Sequence, residues 1–146
     1  MPRQLPKPGA KIKVILDTNV FVSGVFFTGP PYRILEAWRD GKLQLVISED
    51  ILEEYRRVGE VLVERFPSID LRPFLALMTV SAEMSPSKRF AAPLCDDPDD
   101  DMFIACALAS KCKMIVSGDK HLLKMSGFRG IKVLSPREFV DQHLEK

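Results

Sequence analysis

At 146 residues the chain is long enough to bury one substantial core and falls short of what two ordinary domains need. Its 46% apolar and 28% charged residues exclude a disordered chain, and no apolar run approaches the roughly 20 residues of a membrane-spanning helix. With 21 basic and 20 acidic residues the net charge is +1, so bulk charge cannot hold nucleic acid and any such contact must come from local patches.

The start, MPRQLPKPGAKIK, is basic and proline-rich and lacks the apolar stretch of a secretory signal. Residues 1–11 therefore read as a flexible lead-in and residues 12–146 as one domain. IKVILD (12–17) suits a buried strand, and YRILEAWRD (32–40) a short helix ending at Gly41. LQLVI (43–47) predicts a second strand, with Ser48 as the N-cap of a long helix to about Phe66. Ile51, Tyr55, Val58, Leu62 and Phe66 form its apolar stripe, and Pro67 ends it. A further helix is predicted over about 70–80, then a polar, proline-bearing loop over 85–98 and a helix from about 98 to 112. MIVSGD (114–119) reads as a strand, HLLKM as a short helix, KVLS (132–135) as a strand, and PREFVDQHLE as a closing helix with Pro136 near its start. Strands separated by helices require crossover connections. The expected fold class is a single α/β domain with a mostly parallel sheet and helices on both faces. The odd number of cysteines (Cys95, Cys106, Cys112), without CxxC spacing or a histidine cluster, reads as reduced thiols of a cytoplasmic protein.

In parallel sheets of this kind, sites form at the carboxyl ends of strands near a topological switch point. Asp17 and Asp119 are predicted at such ends, although each alone would equally suit a turn or an N-cap. Two helices bring further carboxylates there. At about 100° per residue, Glu54 borders the apolar stripe of its helix while Glu53 faces solvent. In CDDPDDDMFIACALA, Asp97 suits an N-cap, Pro98 the first helical position, and Asp99 and Asp100 the positive first turn. Asp101 shares a face with Ile104, Ala105 and Leu108 and is expected to point inwards, but a shift of one residue in the helix start would exchange it with Asp100.

Asp17, Glu54, Asp101 or Asp100, and Asp119 are thus expected to converge. Carboxylates crowded in one pocket repel each other and resist ionisation unless a cation neutralises them. An oxygen-only set without histidine or cysteine suits Mg²⁺ or Mn²⁺ rather than Zn²⁺ or Cu²⁺. Such ions activate water and neutralise charge on a phosphoryl oxygen, so a phosphodiester is the natural substrate. Thr18, Asn19 and Ser117 are candidates for holding metal waters or the phosphate, or for shaping turns. Among basic residues (Arg56, Arg57, Lys88, Arg89, Lys120, Lys124), most are expected to be solvated faces, and Lys120 beside Asp119 is the best phosphate-orienting candidate. Phe26, Phe27, Tyr32 and Trp38 are candidates for base stacking, with Trp38 better suited to the core; the FFTGPP segment equally suits dimer contacts.

The ordered segments LDTNVFVSG, VISEDILEEY, DPDDDMFIACALA and IVSGDKHLL closely resemble the PIN-domain ribonucleases, over roughly residues 12–140. The resemblance is strongest to small stand-alone PIN proteins that act as toxins of toxin–antitoxin pairs. It implies metal-binding acids at Asp17, Glu54, Asp101 and Asp119, polar companions at Asn19 and Ser117, and Mg²⁺ or Mn²⁺ as cofactor. Several relatives put the third acid at the position of Asp100. It also implies an RNA substrate, cleavage leaving a 5′-phosphate, and a cognate antitoxin as a possible partner. An RNA-processing nuclease outside any such pair, and a non-cutting PIN-like scaffold for RNA or protein, are the alternatives. A haloacid-dehalogenase-type phosphatase would need a carboxylate where Asn19 stands, and a receiver domain would need an acid where the middle strand ends in Ser48.

Overall fold

The structure, a computed structural model, describes residues 11–86 and 100–144. Its elements in chain order begin with β1 (Ile12–Leu16), α1 (Thr18–Phe26), α2 (Pro30–Arg39), β2 (Leu43–Ser48), α3 (Glu49–Arg65) and α4 (Arg72–Ser81). Then come β3 (Glu83–Ser85), α5 (Asp101–Ser110), β4 (Met114–Val116), α6 (Lys120–Leu123), β5 (Lys132–Leu134) and α7 (Pro136–Phe139). A 3₁₀ turn at Phe128–Gly130 precedes β5, and a π turn at Val140–Leu144 continues α7.

The five strands form one sheet in the order β3-β2-β1-β4-β5, and every pairing is parallel. Val14, Ile15 and Leu16 of β1 are all buried, as are Leu45, Val46 and Ile47 of β2, so these central strands are covered on both faces. β1 faces Leu43–Leu45 of β2 over its first half and Ile115 and Val116 of β4 over its second. The chain leaves β1 towards β2 and β3, then returns to place β4 and β5 on the other side. The switch point is therefore the carboxyl end of the β1–β4 seam.

Local chemistry accounts for the helix boundaries. Ser48 caps α3 by accepting from the Ile51 amide at 3.2 Å, and Ser135 with Glu138 forms a reciprocal capping box at the start of α7. Pro30, Pro73 and Pro136 occupy first-turn positions, where their missing amide is harmless. Three features differ from the sequence expectation. β4 stops at Val116, because Ser117 and Asp119 turn out of the sheet into the cap of α6. Glu83–Ser85, on the border of the expected loop, forms edge strand β3 against β2. Thr18–Phe26 is a helix, buried nearly all round and so without a polar face to mark its period. The expected lead-in over 1–10 and the expected cap and first turn at Asp97, Pro98 and Asp99 lie outside the described residues.

α1 packs on both α2 and α3, and α5 lies against β1, β2, β3 and β4. At Gly24 the approach of α1 to α2 leaves no room for a side chain: an added Cβ would stand 2.7 Å from Leu35 and 2.7 Å from the Pro31 carbonyl oxygen. Leu35 can shift, but the carbonyl belongs to the first turn of α2. Gly24→Ala is therefore expected to lower unfolding free energy by about 1–3 kcal/mol. Gly118→Ala, where a Cβ meets nothing within 4 Å, is expected to be neutral or to raise it by about 0.4–1 kcal/mol. Urea denaturation of both variants provides the comparison.

Candidate active site

Asp17 is the first residue beyond β1, and its carboxylate is held by the turn it creates. One oxygen accepts from the Val20 amide at 2.8 Å, capping α1, and the other accepts from the Ser117 hydroxyl. The Gly118 amide adds a further hydrogen bond. The Asp17 amide donates to the Val116 carbonyl at 3.0 Å, so the β1–β4 pairing continues to the residue that carries the charge. Ser117, fully buried, also accepts from the Asp119 amide at 2.9 Å, and Asp119 caps α6 through the His121 amide at 2.8 Å. One hydroxyl thus ties both strand-end aspartates into a single unit.

α3 is fixed beside this unit by Tyr55. Its ring stacks on Phe21 of α1 at 4.3 Å between centroids, and its hydroxyl donates to the Leu16 carbonyl, one residue before Asp17. With Tyr55 locked inward, the preceding residue, Glu54, faces the carboxyl edge of the sheet. Glu53 faces solvent, where it pairs with Arg56 at 3.0 Å. Asp100 and Asp101 begin α5, and both are buried.

An open cavity of about 150 Å³ lies where these elements meet, lined by Asp17, Thr18, Asn19, Glu54, Asp100 and Asp119 together with Val58, Met102 and Phe103. At about 30 Å³ per water it has room for a few waters or a partly hydrated ion. Of the predicted residues, Asp17, Asn19, Glu54, Asp100 and Asp119 come together here. Asp101 is buried but is not part of the lining, Ser117 supports the site from beneath, and Lys120 is exposed beside it. Lys88, Arg89 and Cys95 lie outside the described residues. Trp38 and Phe26 are buried, whereas Phe27 stands exposed, edge-on to Phe66 at 5.4 Å. Cys106 and Cys112 are buried. Sequence reasoning did not anticipate Met102 and Phe103 as cavity walls. The phase of α5 was open by one residue, and every residue of Met102–Ala107 is buried, so no polar face marks its orientation.

Burial raises the Asp17 pKa above its ordinary 3.8, and the nearby Asp119 charge adds to this; the hydrogen bonds from Ser117, Val20 and Gly118 oppose it without cancelling it. The Thr18 hydroxyl, in the same wall, is buried and meets no hydrogen-bond partner among the described residues. An under-neutralised carboxylate, an unsatisfied hydroxyl and an all-oxygen wall fit a hard divalent cation in kind. Among the described residues, however, no three Asp, Glu, His or Cys side chains are grouped tightly enough to hold an ion as they stand. Glu54 is instead drawn to Arg57 on its own helix at 2.6 Å.

The raised pKa has a definite linkage sign. Between the ordinary carboxylate value and the raised folded value, the unfolded chain loses its Asp17 proton first, so unfolding releases a proton and stability falls as pH rises. With chelator present, the Asp17 contribution to wild-type stability is expected to be full below the ordinary value and to decline through the raised one. Asp17→Asn, which keeps an amide oxygen for the cap, is expected to lose that decline. Chemical denaturation across a pH series measures both.

The family model for the PIN domain matches residues 13–121, about three quarters of the chain and all the elements that line the cavity. The uncharacterized protein MJ1680 of Methanocaldococcus jannaschii is 32% identical over 146 residues, an alignment covering 90% of this chain and 92% of that protein. No described helix is long and apolar enough to cross a membrane. With its all-parallel five-stranded sheet and the matched span covering β1 to the start of α6, the chain belongs to the PIN-domain family, generally one of nucleases that bind RNA and use divalent metal ions.

Proposed function

We propose that the chain is a Mg²⁺- or Mn²⁺-dependent endoribonuclease that hydrolyses phosphodiester bonds with an activated water. One observation carries the reading: Asp17, Glu54, Asp100 and Asp119, from four separate elements, line one small cavity at the switch point of the sheet. Four carboxylates around one small cavity make sense if a cation belongs in it. Asp17 and Asp119 would hold the ion from the strand side, and Glu54 and Asp100 from the helices. When bound, it supplies a nucleophilic water at neutral pH and neutralises charge on the phosphoryl oxygens. Thr18 and Asn19 then offer hydrogen bonds to the ion's waters or to the scissile phosphate. Lys120, exposed at the start of α6, is suited to orienting that phosphate from outside. Water adds its oxygen to phosphorus, the 3′ oxygen leaves, and the product ends in a 5′-phosphate. The acids line an open cavity, so the RNA backbone is expected to lie across its mouth.

The likeness to small stand-alone PIN proteins supports a second part of the proposal. The chain is read as the toxin of a toxin–antitoxin pair, with a cognate antitoxin protein as its partner. A nuclease acting alone in RNA processing would share every feature of the cavity. Co-purification of the native protein with a small tightly bound protein separates the two.

The nuclease reading is tested by incubating purified protein with single-stranded and structured RNAs, with Mn²⁺ or with chelator. Cleavage is expected only with the ion, and cleavage that survives chelation would overturn the mechanism. In single-turnover assays at saturating Mn²⁺, Glu54→Gln is expected to lose about a thousandfold in rate, since a charge held against the transition state contributes several kcal/mol at about 1.4 kcal/mol per tenfold. Glu53→Gln, on the solvent face of the same helix, is expected to change little. Of the two acids at the start of α5, Asp100→Asn is expected to inactivate and Asp101→Asn to spare the rate; the reverse result would make Asp101 the third acid.

A further inference from the structure

Two arginines of α3 hold two adjacent glutamates with the same three-residue spacing, and only one of the pairs stands at the cavity. Arg56 Nη1 lies 3.0 Å from Glu53 Oε2 on the solvent face, with both side chains exposed. Arg57 Nη2 lies 2.6 Å from Glu54 Oε1, with Arg57 63% exposed and Glu54 only 21%. A cation therefore already rests against one of the carboxylates that the proposed ion requires. Arg57 itself is not part of the cavity lining, and among the described residues no three carboxylates are grouped to ligate an ion.

We propose that Arg57 and the divalent ion compete for Glu54, and that ion binding hands the Arg57 guanidinium from Glu54 to a phosphate of the incoming RNA. The inference rests on the metal-dependent reading above. Its physical basis is twofold. A guanidinium at 2.6 Å withdraws electron density from the carboxylate oxygen and adds a like charge beside the site of the dication. The Arg57 end of the pair is 63% exposed, so its guanidinium can be rehydrated when the pair opens. Once turned outward, its planar fork of N–H donors matches the oxygens of a phosphodiester. Arg57 is thus a positioning residue: in the ion-free protein it keeps Glu54 neutralised, and in the loaded protein it aligns the RNA backbone.

The experiment titrates Mn²⁺ calorimetrically into metal-free protein for the wild type, Arg57→Met, Arg57→Lys and Arg56→Met, with circular dichroism to confirm folding. Arg57→Met is expected to bind Mn²⁺ about two- to fivefold more tightly, with the gain shrinking at high salt as the ion pair is screened. Arg57→Lys is expected to stay near wild type, and Arg56→Met, the matched pair on the solvent face, to match it. At saturating Mn²⁺, Arg57→Met is expected to raise the KM for single-stranded RNA while kcat holds. Unchanged or weaker Mn²⁺ binding in Arg57→Met overturns the competition, and an equal shift in Arg56→Met reduces it to bulk charge. An unchanged KM removes the phosphate role. If the wild type itself binds no Mn²⁺, the metal-dependent reading falls and this inference with it.

Discussion

A carboxyl group buried at the end of a strand sets the terms for the rest of this molecule. Asp17 lies at the end of the central strand, almost wholly removed from water, and receives hydrogen bonds from Val20, Ser117 and Gly118. An unpaired buried charge is expensive, and donors of this kind normally lower a carboxyl pKa well below its solution value. Here they do not: the balance remains upward. The donors fix where the carboxylate sits and leave its charge under-compensated. The same three contacts start α1, seat the turn after β4 and draw Asp119 alongside. Geometry and electrostatic demand therefore come from one residue.

The second constraint is angular. α3 carries two glutamates in succession, and the fold chooses between them by locking the next residue. Tyr55, stacked on Phe21 and hydrogen-bonded to the Leu16 carbonyl, fixes both the rotation of the helix and its height above the end of β1. One turn further on, Gly59 faces Leu71, and a Cβ there would stand 2.6 Å from it, so α3 and the segment leading into α4 sit in close contact. With the helix pinned at two levels, Glu54 and Val58 turn to the cavity together, as a four-residue spacing requires.

Much of this was legible in the chain. Val14–Leu16 and Leu45–Ile47 are apolar at consecutive positions, which marks strands covered on both faces, and Ser48 and Pro136 announce the helices they begin. The segregation of Glu53 from Glu54 followed from helix phase alone. α1 was not legible, because a helix packed on two others and buried nearly all round has no polar face to supply a period; Val20, Phe21, Val22 and Val25 would serve equally in a strand. β3 is three residues of mixed character, and it is a strand only because β2 offers it an edge. The placing of Asp100 rather than Asp101 on the cavity wall depends on where α5 begins, a boundary decided by tertiary packing. The Arg57–Glu54 pair is one of several that the sequence permits, and burial on one side only distinguishes it from Arg56–Glu53.

The hydrogen bond between Asp17 and Ser117 joins residues 100 positions apart. During synthesis the chain appears from its N-terminus, and β1 can pair with β2 as soon as the intervening helices have formed. The other side of β1 stays open until β4 is made, and with it the donors that steady Asp17 and the second strand-end aspartate. Such a long loop closure is slow compared with helix formation. On a ribosome, which is itself built of RNA, roughly the first four-fifths of the chain therefore emerge without an assembled carboxylate pocket. The pocket closes only when β4, with Ser117 just beyond it, slides in beside the first strand, so the order of assembly leaves a nascent chain without its complete acidic site.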